Sequence, residues 1–151
     1  MGSSAALQPE PAPITACTIS RDVQNFDLLI EDMENELGES WGDLSFQDAS
    51  VILNQPDANF LEFVAIAMDS EDENDLMRIG DLIATARENE INVVLVAEEV
   101  SPIILHQLLR QGAEDFLPYP LPEGALHEAI ERLRAPEPSR ALPDDDAQSP
   151  S

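Results

Sequence analysis

Along the chain, nearly continuous apolar runs alternate with stretches whose apolar residues recur every three or four positions. The first run, residues 14–20 (ITACTIS), is rich in β-branched side chains and ends at a polar pair, as a strand does. Behind it Phe26, Leu29, Ile30, Met33 and Leu37 share one helical face, and Gly38 stands where a C-terminal stop belongs. Residues 41–46 then predict a short strand, residues 48–53 a short helix, and the run NQPDAN (54–59) a turn built from residues that favour such backbone. Two runs, 61–68 (LEFVAIAM) and 91–97 (INVVLVA), are apolar almost throughout, the mark of strands covered on both faces. Between them Ser70 and Glu73 have the spacing of a capping box, opening a helix with Leu76, Ile79, Leu82, Ile83 and Ala86 on its buried face. Ser101 as N-cap and Pro102 at the first helical position open the next, which carries Ile104, Leu105, Leu108 and Leu109 and closes at Gly112. Residues 115–119 predict a fifth strand, and Leu126, Ala129, Ile130 and Leu133 a last helix.

Five strands alternating with five helices imply an α/β fold with a parallel sheet, because each crossover must be right-handed and must cover a face of the sheet. The common strand order for so small a doubly wound unit is 2-1-3-4-5. The chain has 151 residues, enough for a single core. Residues 1–13 and 136–151 are small, polar and proline-rich, and bury too little apolar surface to offset the entropy of ordering them. One folded domain is therefore expected over 14–135, with the acidic, proline-containing end suited to a linker.

Charge narrows the function classes. With 31 acidic and 7 basic residues the chain carries a formal charge of -24, which repels nucleic-acid phosphates and anionic lipid. The opening residues have neither a basic region nor an apolar core of a signal peptide, and no apolar run approaches the roughly 20 residues that span a bilayer. A cytoplasmic protein that neither binds nucleic acid nor inserts into a membrane is expected. The single cysteine, Cys17, has no partner for a disulfide and reads as a small apolar strand residue.

Candidate chemistry is sparse. The acidic run 69–75 lacks the glycine and distant glutamate of an EF-hand loop, and its carboxylates suit the positive end of a helix dipole instead. His106 and His127 fall on different predicted helices, with no serine or cysteine motif to make a catalytic triad. No phosphate-binding loop of the form GxxxxGK[ST] occurs.

The segment 112–121 (GAEDFLPYPL) resembles the end of a response-regulator receiver domain, where Gly-Ala, an acidic pair, an aromatic and an aliphatic lead into Lys-Pro. The resemblance implies a flavodoxin-like fold of the CheY type. It further implies a site at the strand ends: an acid pair after the first strand for Mg²⁺, a phosphoacceptor aspartate ending the third strand, a hydroxyl ending the fourth, and the lysine. Aligned on that pattern, Ser20, Arg21 and Asp22 replace the acid pair, and Arg21 puts positive charge where the cation belongs. The acceptor position falls at Ala67 with Asp69 just beyond it, the hydroxyl position at Val96 or Ala97, and Tyr119 stands in place of the lysine.

More narrowly, the run RQGAEDFLPYPLPEGALHEAIERL is similar to the amino-terminal receiver-like domain of TadZ/CpaE-type proteins of the Tad (Flp) pilus assembly system, where a tyrosine likewise replaces the lysine. That resemblance implies a phosphorylation-independent recognition and localisation domain, not an enzyme, that meets protein partners of the secretion machinery at a cell pole or pairs as a homodimer. It also implies that ATP belongs to a further ATPase domain, with this chain ending in the interdomain linker and holding no cofactor itself. The receiver contact surface of fourth helix, fifth strand and fifth helix would here offer His106, Leu109, Arg110, Phe116, Tyr119 and His127, with Tyr119 the preferred anchor. Two other readings stay open: a true phosphoacceptor domain with Asp69 as acceptor, and a small-ligand sensor using the crevice outside the strand ends.

Overall fold

The computed structural model describes residues 14–134; the expected flanks 1–13 and 136–151, and the domain end at 135, lie outside the described residues. Strands β1 (Ala16–Ile19), β2 (Trp41–Leu44), β3 (Phe63–Asp69), β4 (Asn92–Glu98) and β5 (Asp115–Pro118) form one sheet in the order β2-β1-β3-β4-β5. Every pairing is parallel. Helices α1 (Asp27–Leu37), α2 (Phe46–Ile52), α3 (Leu76–Glu88) and α4 (Pro102–Gln111) make the crossovers, and α5 (Ala125–Arg134) follows the last strand. The doubly wound order expected from the sequence is the one found.

Strand alternation divides the core in two. Val64, Ile66 and Met68 of β3 pack with α2, α3 and α4, whereas Phe63, Ala65 and Ala67 pack with Phe26, Leu29 and Met33 on one side and Leu126, Ala129 and Ile130 on the other. β3 and β4 are buried on both faces because they are central, and their near-continuous apolar sequence is the cause. At the close of α1, Gly38 takes φ 61° and donates its N–H to the Glu34 carbonyl, so the expected stop holds.

Several boundaries differ from the sequence reading. β1 keeps only the interior of residues 14–20, and Val23–Phe26 forms a 3-10 turn, so α1 starts at Asp27 and not at Phe26. β2 ends at Leu44 because Ser45 caps α2, its side chain accepting the Asp48 N–H; α2 therefore begins at Phe46, two residues before the expected start. The turn at 54–59 is a 3-10 helix, Pro56–Phe60. β3 and β4 each run one residue past the apolar limit, to paired Asp69 and Glu98, and β5 stops at Pro118 before Tyr119. The capping box lies one residue earlier than expected: Asp69 and Asp72 make it, not Ser70 and Glu73. It opens a 3-10 segment, Ser70–Asp75, that precedes α3.

Among the described residues no helix is long and apolar enough to cross a membrane.

Candidate functional site

Parallel strands bring their carboxyl ends to one edge of the sheet, and the loops that follow β1, β3, β4 and β5 meet there. Arg21 leaves β1 and reaches into the loop after β3. Its Nη2 lies 2.8 and 2.9 Å from the two carboxylate oxygens of Asp69, and its Nε lies 2.7 Å from Asp72 Oδ1. Glu71 stands further off, 3.7 Å from Nη1. One planar guanidinium thus serves two carboxylates through separate edges, an arrangement a lysine could not copy.

Backbone donors hold the two aspartates as well. Asp69 Oδ1 accepts the Glu71 N–H at 2.9 Å, and Asp72 Oδ2 accepts the Asp69 N–H at 2.9 Å. Asp72 is 1% exposed, a charge position tolerable only because it is paired and hydrogen-bonded. Burial pushes its carboxyl up, against the opposing pull of the Asp69 N–H and the Arg21 guanidinium. The bond to Asp72 in turn raises Arg21 above its ordinary value, so its charge is permanent at any working pH. Asp22, which the alignment placed in the acid pair, faces away from this cluster in its bonding and caps the 3-10 turn by accepting the Gln24 N–H at 3.0 Å.

Two further side chains tie the remaining loops. Glu73 accepts the backbone N–H of Ser101 at 3.0 Å, joining the loop after β3 to the start of α4. Tyr119, just past β5, packs edge-on to Phe26 with ring centroids 5.1 Å apart, and its hydroxyl accepts the Leu28 N–H at 2.9 Å in the first turn of α1. Burial, with the charges of Asp27, Glu98 and Asp32 adding to it, pushes the phenol up, so it is neutral. Ala67 is fully buried and Ala97 nearly so, and neither supplies a side-chain oxygen. Ala97 pairs with Met68, one step before the end of β4, and Val96 faces the α1 and α5 side of the core.

The candidate contact residues do not form one patch. His106 and Arg110 are exposed on α4, while Leu109 and Phe116 pack against the core on the α2–α3–α4 side. His127 turns toward α1, its Nδ1 2.8 Å from Glu36 Oε1. Tyr119 is half-buried over Phe26. α4 (PIILHQLLRQ) contains no acidic residue in a strongly acidic chain, and its Ile103 is 74% exposed. An apolar cavity of about 570 Å³ opens away from the strand ends, beside β1 and β2, lined by Cys17, Gly42, Leu44, Ile52 and Phe60.

Solved structures share this fold. A pilus assembly-related protein from Burkholderia pseudomallei is similar over 83% of this chain and 92% of its own, with 18% identity and a TM-score of 0.59. Pilus assembly protein CpaE from Caulobacter crescentus is similar over 84% and 98%, with 17% identity and a TM-score of 0.59. A response regulator receiver protein from Pseudomonas putida covers 80% and 98%, with 18% identity and a TM-score of 0.57. The fold is that of a CheY-like receiver domain. No protein-family model matches the sequence, and no curated protein matches it at significant similarity. On the receiver fold the strand-end residues can be tested against a Mg²⁺ site, and they do not fit one. Asp69 and Asp72 already share a guanidinium, and no group of three or more metal-ligating side chains is arranged for an ion among the described residues.

Sequence reasoning placed Arg21 and Asp69 in this region but missed Asp72, Glu73 and the Leu28 amide. The Asp-x-x-Asp spacing of 69 and 72 was a legible capping signal, masked by the neighbouring Ser70 and Glu73.

Proposed function

We propose that this domain is a phosphorylation-independent interaction module of a TadZ/CpaE-type protein of the Tad pilus system, acting in the cytoplasm and at a cell pole through protein partners, without catalysing a reaction. The observation that carries this reading is the Arg21 guanidinium held between Asp69 and Asp72. Phosphoryl transfer requires charge neutralisation at the acceptor by cation, hydroxyl and lysine. In this chain Asp69 and Asp72 are engaged by an arginine, and Ala67, Ala97 and Tyr119 stand at the other positions. Similarity to pilus assembly structures, and not to signalling receivers alone, supports the choice of system.

The acid-free α4, with Ile103, His106 and Arg110 exposed, is the surface best suited to meet a partner, because association there is spared the like-charge repulsion of the remaining surface. Any ATP chemistry belongs to a separate domain of the parent protein.

The test is binding to pilus-machinery partners with and without Mg²⁺ and a small-molecule phosphodonor. The reading expects equal affinity in both conditions, and a loss of about tenfold or more on replacing Ile103 by Asp, as for a central interface residue. Affinity that appears only after phosphodonor treatment contradicts it.

A further inference from the structure

The contacts at the strand ends form a chain of links between loops, and its order carries a consequence. Arg21, on the loop after β1, grips Asp69 and Asp72. Those two residues frame the 3-10 segment Ser70–Asp75, because Asp69 caps it and Asp72 bonds back to the Asp69 N–H. Glu73, inside the same segment, accepts the Ser101 N–H, and Ser101 itself caps α4 by accepting the Ile104 N–H at 3.3 Å. A positive group at the site is thereby connected to the first turn of α4 through three hydrogen-bonded links, Arg21 to Asp72, Glu73 to Ser101 and Ser101 to Ile104, the first two joined by the backbone between Asp72 and Glu73.

We infer that Arg21 is a built-in counter-ion: its guanidinium locks the segment 70–75 in place and, through Glu73 and Ser101, fixes the start of α4, so that α4 is held in one presentation without cation or phosphoryl group. The inference rests on the proposed reading of α4 as a contact surface. Arg21 is a positioning residue here, acting on α4 through Glu73 and touching no partner itself.

Without a positive charge, Asp69 and the buried Asp72 are two carboxylates three residues apart in one tight turn, with Glu71 and Glu73 beside them, and their repulsion opens the turn. Asp72 is the sensitive member. It is buried, so loss of its partner leaves a charge that must be hydrated, protonated or exposed, and hydrating or exposing it moves the segment that carries Glu73. Ser101 N–H then loses its acceptor.

Amide hydrogen exchange by NMR on the full chain tests this directly. Replacing Arg21 by Gln should accelerate exchange at Ser101 N–H and Glu71 N–H by about tenfold or more, the scale of a lost charge-assisted contact, while Ile66 N–H in β3 is unchanged. Arg21→Lys keeps the charge but cannot bridge both carboxylates, so its Ser101 exchange should fall between the Arg21→Gln and wild-type rates, a partial rescue not expected if Arg21 acted by packing alone. Unchanged exchange at Ser101 in Arg21→Gln overturns the inference. So does equal acceleration at Ser101 and Ile66 in both variants, because the effect is then global. Failure here leaves the proposed function intact, since that reading depends on the inability of the wild-type chain to take up a phosphoryl group and not on the link to α4.

Discussion

Tyr119 shows how one side chain can change the meaning of a fold. At a position where receivers place a lysine toward the phosphoryl group, the phenol instead bridges β5 to α1, with its ring on Phe26 and its hydroxyl accepting the Leu28 N–H. Tyr119→Phe keeps the ring contact and removes the acceptor, and should cost about 1 kcal/mol in urea unfolding. Tyr119→Ala loses the packing as well and should cost about 2 kcal/mol or more. If both variants match wild type in stability while weakening self-association, Tyr119 belongs to an interface and not to this bridge. A second residue makes the opposite point. Thr18 is fully buried in β1, and its hydroxyl has no hydrogen-bond partner among the described residues. Thr18→Val keeps the branched shape and removes an unmet polar group, so it should be neutral or stabilising by about 1 kcal/mol in the same assay. A loss of stability would reveal a partner for that hydroxyl.

At the scale of elements, α1 and α5 lie side by side against one sheet face and are joined at their surface by His127 and Glu36. The hydrogen bond and charge of Glu36 raise the His127 imidazole above its ordinary value, with Glu128 and Glu131 adding to the shift. A raised folded-state value means that the link is fully present below the unfolded histidine range and is lost as pH rises through the folded value. NMR titration of the two histidines should place the His127 midpoint above the free imidazole range, and Glu36→Gln should move it back down. A midpoint unaffected by Glu36→Gln would remove the link. The elements themselves were largely legible in sequence, because β3 and β4 are central strands whose burial on both faces forces continuous apolar runs. The misplaced boundaries came from competition between polar side chains. Ser70 and Glu73 matched the capping pattern as well as Asp69 and Asp72, but β3 runs on to Asp69, which puts the second pair at the start of the 3-10 segment. Contacts far apart in sequence, such as Glu73 with Ser101, leave no spacing signal at all.

At the scale of the whole molecule, four loops converge at the strand ends of a receiver-like fold, where Arg21, Asp69, Asp72, Glu73 and Tyr119 are engaged in internal contacts. The framework was readable because sheet order follows from alternating strands and helices, whereas the fate of the site depended on one arginine that the alignment could place only in the neighbourhood of the missing acids. The central claim is that the strand ends hold their own counter-ion and accept no phosphoryl group. An amide NMR titration of the wild-type chain with Mg²⁺ and beryllofluoride, which mimics a phosphoryl group on aspartate, tests it most directly. The account predicts no saturable shift at Asp69, Asp72 or the flanking strand ends. A saturable response centred on Asp69, with displacement of Arg21, would contradict it and establish the domain as a phosphoacceptor.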